Sequence, residues 1–311
     1  GSRMKRLYRL YFTLPSLRRL GLLGKSFDYL CGIVFKRFFD SIIPQQFARN
    51  FNADICGINR SEIRKIKYIV SLTSFPARIN EVWICIDSLM RQTFKPDKII
   101  LWLADSQFPD RVLPESLRKY EKKGLSICWC DDLRSYKKFF YTIQEYPEDN
   151  IITVDDDIYY PSDMLENLVN LNFKYPNCVC ANRVHLMTFD KNGELKSYRN
   201  WIHNYRGLNL PSLKLFVTGI GGVLYPPHCF VKDIINIQKA REICPLADDV
   251  WLNFCALSKE TRIIGSNKYN KDFICVGHTQ NEKLVAQNVL GGGNDMQIKS
   301  VLRFLNLQLS E

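Results

Sequence analysis

The sequence lacks an uninterrupted apolar run long enough to cross a bilayer. Its best candidate, residues 20–35, is broken by Lys25 and Asp28, whereas a spanning helix needs about 20 nearly continuous apolar residues. Also missing is the series of charged start, apolar stretch and small-residue cleavage site that marks a secretory leader. The leading Gly1-Ser2-Arg3 reads as a cloning remnant ahead of Met4. Despite eleven cysteines there are no paired C-x₂-C knuckles, which argues against structural zinc. Instead Cys128-Trp129-Cys130 and Cys178-Val179-Cys180 each set two thiols on one face of an expected strand. That pattern suits buried free thiols in a reducing compartment. No internal repeat is present. Acids are the minority, 32 against 43 basic residues, yet no nucleic-acid module accompanies the excess, so no nucleic-acid partner is expected.

What the chain does have is a hydrophobic content of 46% and 13% aromatics in 311 residues, enough for one large packed domain with a small accessory region. The positive charge is concentrated at the amino end. Residues 1–50 hold ten basic side chains against two acids, and so carry eight of the eleven net charges. Leu7, Tyr8, Leu10, Phe12, Leu22, Leu23, Tyr29, Val34 and Phe38 interleave with them. A mixture of this kind suits an anionic membrane surface, where cations meet headgroups and aromatic rings sink to the interface; the alternative is a pair of basic surface helices packed on the following domain. The expected division is a basic amphipathic segment over residues 1–62 and a catalytic domain over 63–311, the whole cytoplasmic and peripheral to the inner face of the cell membrane.

From Lys67 the pattern alternates strand and helix. Strands are expected over residues 68–73, 98–103, 125–130 and 151–154, with helices over 82–90, 115–123 and 136–146 between them. Repeated strand-helix units imply right-handed crossovers and an α/β fold with a mostly parallel central sheet flanked by helices, its ligands at the carboxyl ends of the strands. Further helices are expected over 162–175, 230–239 and 247–257, late strands over 261–264 and 272–276, and a mobile loop at Gly291-Gly292-Gly293.

Asp155, Asp156 and Asp157 follow the fourth strand directly. Adjacent carboxylates repel and raise one another's pKa values unless a cation neutralises them. Hard oxygen ligands on a short turn fit Mg²⁺ or Mn²⁺ shared with substrate phosphates. Asp155 and Asp157 project alike from an extended chain and can converge on an ion, while Asp156 points elsewhere. A solvated acidic loop or helix cap is the plain alternative.

The run of β-strand, Asp-x-Asp and aromatic-Pro resembles the metal and nucleotide-sugar site of GT-A fold glycosyltransferases, a Rossmann-like group, and in particular the bacterial family 2-like enzymes of capsule and O-antigen synthesis. The likeness spans residues 67–295. It is clearest at Val70-Ser71-Leu72-Thr73-Ser74-Phe75-Pro76-Ala77-Arg78, in 151–161 and 218–226, and at Ala247-Asp248-Asp249-Val250-Trp251-Leu252. The resemblance implies that Thr73, Ser74 and Arg78 face the donor nucleotide, with Asp156 beside them, and that Asp155 and Asp157 hold the metal. It implies that Asp249 is the base that deprotonates the acceptor. The family's usual Glu-Asp is Asp-Asp here, so Asp248 and Asp249 can exchange roles. Both also suit a helix amino end, where the dipole favours acids.

Lys137 and Lys138 are donor-phosphate candidates or members of a solvated helix face. Gly219, Gly221 and Gly222 permit close backbone approach to a sugar or diphosphate, or simply form a turn. Several enzymes of that family complete their metal shell with a C-terminal histidine, so the resemblance implies His278 as a further ligand, although a lone histidine also serves structure. Trp201, His203 and Tyr205 stack on acceptor sugar rings or belong to the core. These implications add up to a metal-dependent inverting enzyme that moves a hexose such as galactose or galactofuranose from a UDP-linked donor to a lipid-linked or oligosaccharide acceptor. The competing expectations are a sugar-phosphate nucleotidyltransferase, whose Gly-rich loop is missing after the first strand, and a non-catalytic glycan-binding protein.

Overall fold

Four β-rich stretches, each ending in polar residues, build the centre of the molecule. The computed structural model describes residues 3–207, 209–277 and 293–310. In it β1 (Tyr68–Thr73), β2 (Lys98–Ala104), β3 (Leu125–Cys130) and β4 (Asn150–Thr153) run parallel in the order β3-β2-β1-β4. Beyond β4 the sheet continues through β8 (Val223–Tyr225), β5 (Val179–Ala181) and β9 (Ile263–Gly265). Of its seven strands only β8 runs against the rest. A separate antiparallel pair, β6 (Val184–Leu186) and β7 (Leu215–Val217), stands beside it. The expected α/β class with a mostly parallel, helix-flanked sheet is what the chain adopts.

Burial on both faces explains the continuous apolar strands. Val70 and Leu72 of β1 join one core with α3 (Val82–Met90) and α6 (Met164–Lys174). The opposite face, with Ile69, Ile100 and Trp102, is covered by α5 (Lys137–Glu145). There the Trp102 indole N–H donates to Thr142 Oγ1 (2.8 Å), Thr142 and Ser71 share a hydroxyl bond (2.7 Å), and the Ser71 hydroxyl donates to the Lys138 carbonyl. This buried relay pins the first turn of α5 to β1.

Several boundaries depart from expectation. The helix expected over 115–123 is a single α-turn, α4 (Glu115–Arg118), followed by a 3₁₀ turn that Gly124 ends at φ 104°. The one expected over 230–239 moves to α7 (Ile237–Ile243), because the Asn236 side chain caps it by accepting from the Lys239 N–H at 3.2 Å. Residues 272–276 form no sheet strand; they make a short bridge, Ile158 to Cys275, with the segment that follows the three aspartates. Gly291 and Gly292 lie outside the described residues. Gly293, expected in the same loop, instead opens α9 (Gly293–Leu305), whose Ile298 and Val301 share a core with α8 (Asp248–Ser258).

At the amino end α1 (Arg3–Thr13) and α2 (Gly21–Arg49) lie against this assembly. Met4, Tyr8, Tyr11, Phe35, Phe39, Ile43 and Phe47 are buried with Ile84, Tyr159, Ile274 and Val276. Burial of side chains this size is worth about 1.5–3 kcal/mol each. None of the eleven cysteines is in a disulfide, and among the described residues no helix is long and apolar enough to cross a membrane.

Candidate active site

The parallel strands all stop on one side, and the chain that leaves them walls a cavity of about 860 Å³. Thr73 and Ser74 come from the end of β1, Asp155, Asp156 and Asp157 from β4, and Arg183 from beyond β5. Lys137 and Lys138 enter from α5, and Asp248 and Asp249 from α8. This is the crevice where open α/β sheets bind ligands, and its volume lies in the range of small-molecule pockets.

The three aspartates divide their contacts among different partners. Asp155 Oδ1 accepts from Lys138 Nζ at 3.1 Å. Asp156, buried, accepts from Ser74 Oγ (2.6 Å) and from Arg78 Nη1 (2.6 Å). Asp157 lies 3.3 Å from Arg78 Nη2. The Arg78 fork thus clamps two of the carboxylates, as its planar geometry allows, and part of the charge the sequence reading gave to a metal is met by the protein. Burial first, then the charge of Asp155, pushes Asp157 up to about 7. Burial also raises Asp156, although Arg78 and Ser74 pull it back.

The second acid pair faces the first across the cavity. Asp248 and Asp249 form the first turn of α8. Asp249 Oδ2 accepts from the Gly219 N–H at 3.0 Å; burial foremost, and next the adjacent Asp248, hold its carboxyl well above the ordinary range. Lys138 Nζ is 3.4 Å from Asp248 Oδ2 and also 3.1 Å from Asp155, so one buried ammonium links the two pairs. Burial works against that charge, and Asp248 foremost and then Asp155 more than restore it. Asp248 Oδ2 is buried without a hydrogen bond. A Cβ at Gly219 would stand 3.3 Å from Asp249 Oδ1 and 3.5 Å from Lys138 Nζ, so glycine keeps this junction open.

Six carboxylates, Asp132, Asp155, Asp156, Asp157, Asp248 and Asp249, line the cavity with five basic side chains, Arg78, Arg134, Lys137, Lys138 and Arg183. The crevice is thus near charge balance but rich in hard oxygen donors, which fit Mg²⁺ or Mn²⁺ only if a ligand supplies further oxygens. Among the described residues no three His, Cys, Asp or Glu side chains form a ready metal cluster. Asp155, 27% exposed and paired with Lys138, and Asp157, paired with Arg78, are the residues that would hold such an ion. His278 lies outside the described residues.

The remaining expected residues fall into two groups. Thr73 lines the cavity while its hydroxyl donates to the Trp102 carbonyl (2.8 Å), and Lys137, also lining it, pairs with Asp132 at 2.8 Å. His203 lines it too. Trp201 does not: its indole donates to the Lys196 carbonyl (2.9 Å) and its ring packs on Phe216 inside the hairpin core. Gly221 and Gly222 also serve packing. A Cβ at Gly221 would come 2.9 Å from Asn182 Cβ, and Gly222 has φ 82° beside Met164. Tyr205 sits under Gly207 at the edge of that core.

Residues not expected from sequence complete the far wall: Arg183, His185 and Tyr198. His185 Nδ1 accepts from the Asn204 N–H (3.0 Å), so its proton is on Nε2 and is donated to the Tyr198 hydroxyl at 3.1 Å. Burial and then Arg183 keep this imidazole neutral, with its pKa well below the usual value. Asn182-Arg183 stands at the carboxyl end of β5, and the strand-end rule that singled out the aspartates points to it equally.

No protein-family model matches the chain, and no curated protein matches it. Among solved structures it is similar to enzymes that handle nucleotide-linked substrates. One is the mannosyltransferase PcManGT from Pyrobaculum calidifontis in complex with GDP-Man and Mn²⁺, with TM-score 0.48 and 11% identity over 91% of this chain and 76% of that one. A second is TarS 1–349 of S. aureus in complex with UDP, with TM-score 0.44 and 14% identity over 78% and 71%. A third is 4-diphosphocytidyl-2C-methyl-D-erythritol synthase, with TM-score 0.42 and 11% identity over 73% and 100%. What each binds is a property of that protein.

Proposed function

We propose that this chain is a metal-dependent inverting glycosyltransferase that moves a hexose from a UDP-linked donor to a lipid-linked or oligosaccharide acceptor in surface polysaccharide synthesis. The observation that carries the reading is the meeting of two acid pairs, distant in sequence, at one cavity and on one buried ammonium. Mn²⁺ or Mg²⁺ held by Asp155 and Asp157 would offset the charge that develops on the departing diphosphate. Arg78 and Ser74 fix the acidic turn, and Lys138 adds a fixed positive charge between donor and acceptor sides.

Asp249 is the base. Its raised pKa makes it an effective proton acceptor near neutrality, and the Gly219 N–H holds one of its oxygens. It takes the proton of an acceptor hydroxyl as that oxygen attacks the anomeric carbon from the side opposite the diphosphate. A single displacement of this kind inverts the centre. Arg183, His185 and His203 form the wall on the acceptor side.

Titration with UDP, with and without Mn²⁺, tests the reading, and a panel of nucleotide sugars scored for donor hydrolysis identifies the sugar. Equal UDP affinity without metal would overturn it, as would a product that keeps the donor's anomeric configuration. A sugar-phosphate nucleotidyltransferase would instead consume a nucleoside triphosphate and release pyrophosphate, and a glycan-binding protein would show no metal-linked affinity for UDP.

A further inference from the structure

α2 is apolar on two sides, and among the described residues only one of them is packed against the rest of the molecule. Phe35, Phe39, Ile43 and Phe47 recur every four residues and are buried. On another face Leu23, Phe27, Leu30, Val34 and Phe38 recur at the same helical spacing and are exposed, Leu23 by 85% and Leu30 by 58%, with Leu22 beside them at 83%. A contiguous apolar stripe in water signals a partner.

The charges around the stripe are of one sign. Arg37 lies beside it on α2, and Arg18 and Arg19 are exposed in the turn that leads into the helix. The two acids of the segment are engaged locally: Asp28 accepts from Ser16 Oγ (2.6 Å) and the Leu17 N–H (2.9 Å), and Asp40 accepts from Tyr159 and pairs with Lys36. A second copy of the chain on this face would set two basic segments against each other. An anionic surface meets both the charge and the apolar stripe.

We propose that the outer face of α2 is a membrane-docking surface that lies flat on anionic lipid, its apolar stripe sunk to the headgroup boundary and its basic border among the lipid phosphates. The docking itself is independent of sugar transfer.

Sedimentation of the full chain with phosphatidylcholine vesicles, with and without phosphatidylglycerol, tests it. Binding to the mixed vesicles and none to phosphatidylcholine alone is expected. Neutralising Arg18, Arg19 and Arg37 to Gln should weaken the apparent partition by about 100-fold at low salt, and Leu23→Ser with Phe27→Ser and Leu30→Ser by at least about 10-fold. Both variants replace exposed side chains, so their melting temperatures and metal-dependent UDP binding should match the parent; this separates failure of docking from failure of the donor site. Unchanged vesicle binding in both variants overturns the proposal. So does concentration-dependent self-association, abolished by the three Ser substitutions, in a chain that ignores vesicles.

Discussion

At Asp157 the folded chain binds a proton more tightly than the unfolded chain, because burial and Asp155 raise its pKa from 3.8 to about 7. The sign follows. Below pH 4 the carboxyl is protonated in both states and costs nothing; as pH rises from about 4 to about 7 only the unfolded chain ionises freely, so stability falls. The loss is roughly 4 kcal/mol at most, at about 1.4 kcal/mol per pH unit. Asp157→Asn is therefore expected to melt higher than the parent at pH 8 and equally near pH 4, while losing metal-dependent UDP binding. Melting curves at the two pH values and one titration check both halves. At Asp249 the same raised pKa bears on rate. In the proposed reaction Asp249 is the base and must be ionised, so turnover should climb with pH through a midpoint above the ordinary carboxylate range. Asp249→Asn should cut kcat by about 10²–10⁴ with UDP and Mn²⁺ binding intact. If Asp248→Asn shows that loss and Asp249→Asn does not, the roles are exchanged.

Among the elements, the amino-terminal helices reach the active site through a chain of backbone bonds. The Tyr8 hydroxyl accepts from the Ile274 N–H at 3.0 Å and donates to the Tyr159 carbonyl. Residues 274–276 in turn pair with the segment after the aspartates, since the Tyr159 N–H donates to the Ile274 carbonyl (3.0 Å) and the Val276 N–H to the Asp157 carbonyl (2.6 Å). Tyr8→Phe strips two buried backbone groups of a partner, which costs about 1–3 kcal/mol. It should lower the melting temperature and weaken UDP binding while leaving the pH midpoint of turnover in place; a calorimetric scan and a kinetic pH profile read the two effects. At this scale the sequence was legible wherever an element is set by its own residues. β1 and β3 occupy the expected residues. α9 was missed because the three glycines before it suggested a loop, although Ile298, Val301, Leu302 and Leu305 repeat at helical spacing. Residues 272–276 have strand composition but find only a short bridge.

Over the whole molecule, the positive excess lies at the amino end, where residues 1–50 carry eight of the eleven net charges. The crevice is nearer balance, with six acids against five basic side chains. An ion held among its carboxylates would offer a diphosphate a site that neither makes alone. Mn²⁺ and UDP together should raise the melting temperature more than the sum of either alone, because each supplies what the other lacks. Occupancy at about 100 times Kd would add about 2.7 kcal/mol, and a chelator should return the curve to that of the ligand-free chain. Simple addition of the two shifts would count against a shared site.

The sequence by itself determined the α/β layering, the position of the acidic turn at a strand end and the basic apolar character of the amino end, because these follow from periodicity, local propensity and composition. Only the tertiary structure decided which carboxylates meet. Lys138 bridges Asp155 and Asp248, Arg78 clamps Asp156 and Asp157, Trp201 turns into the core, and His185 and Arg183 line the far wall. Those outcomes depend on how α5, α8 and the β6–β7 pair close over the sheet, and contacts between residues far apart in the chain leave no local pattern to read.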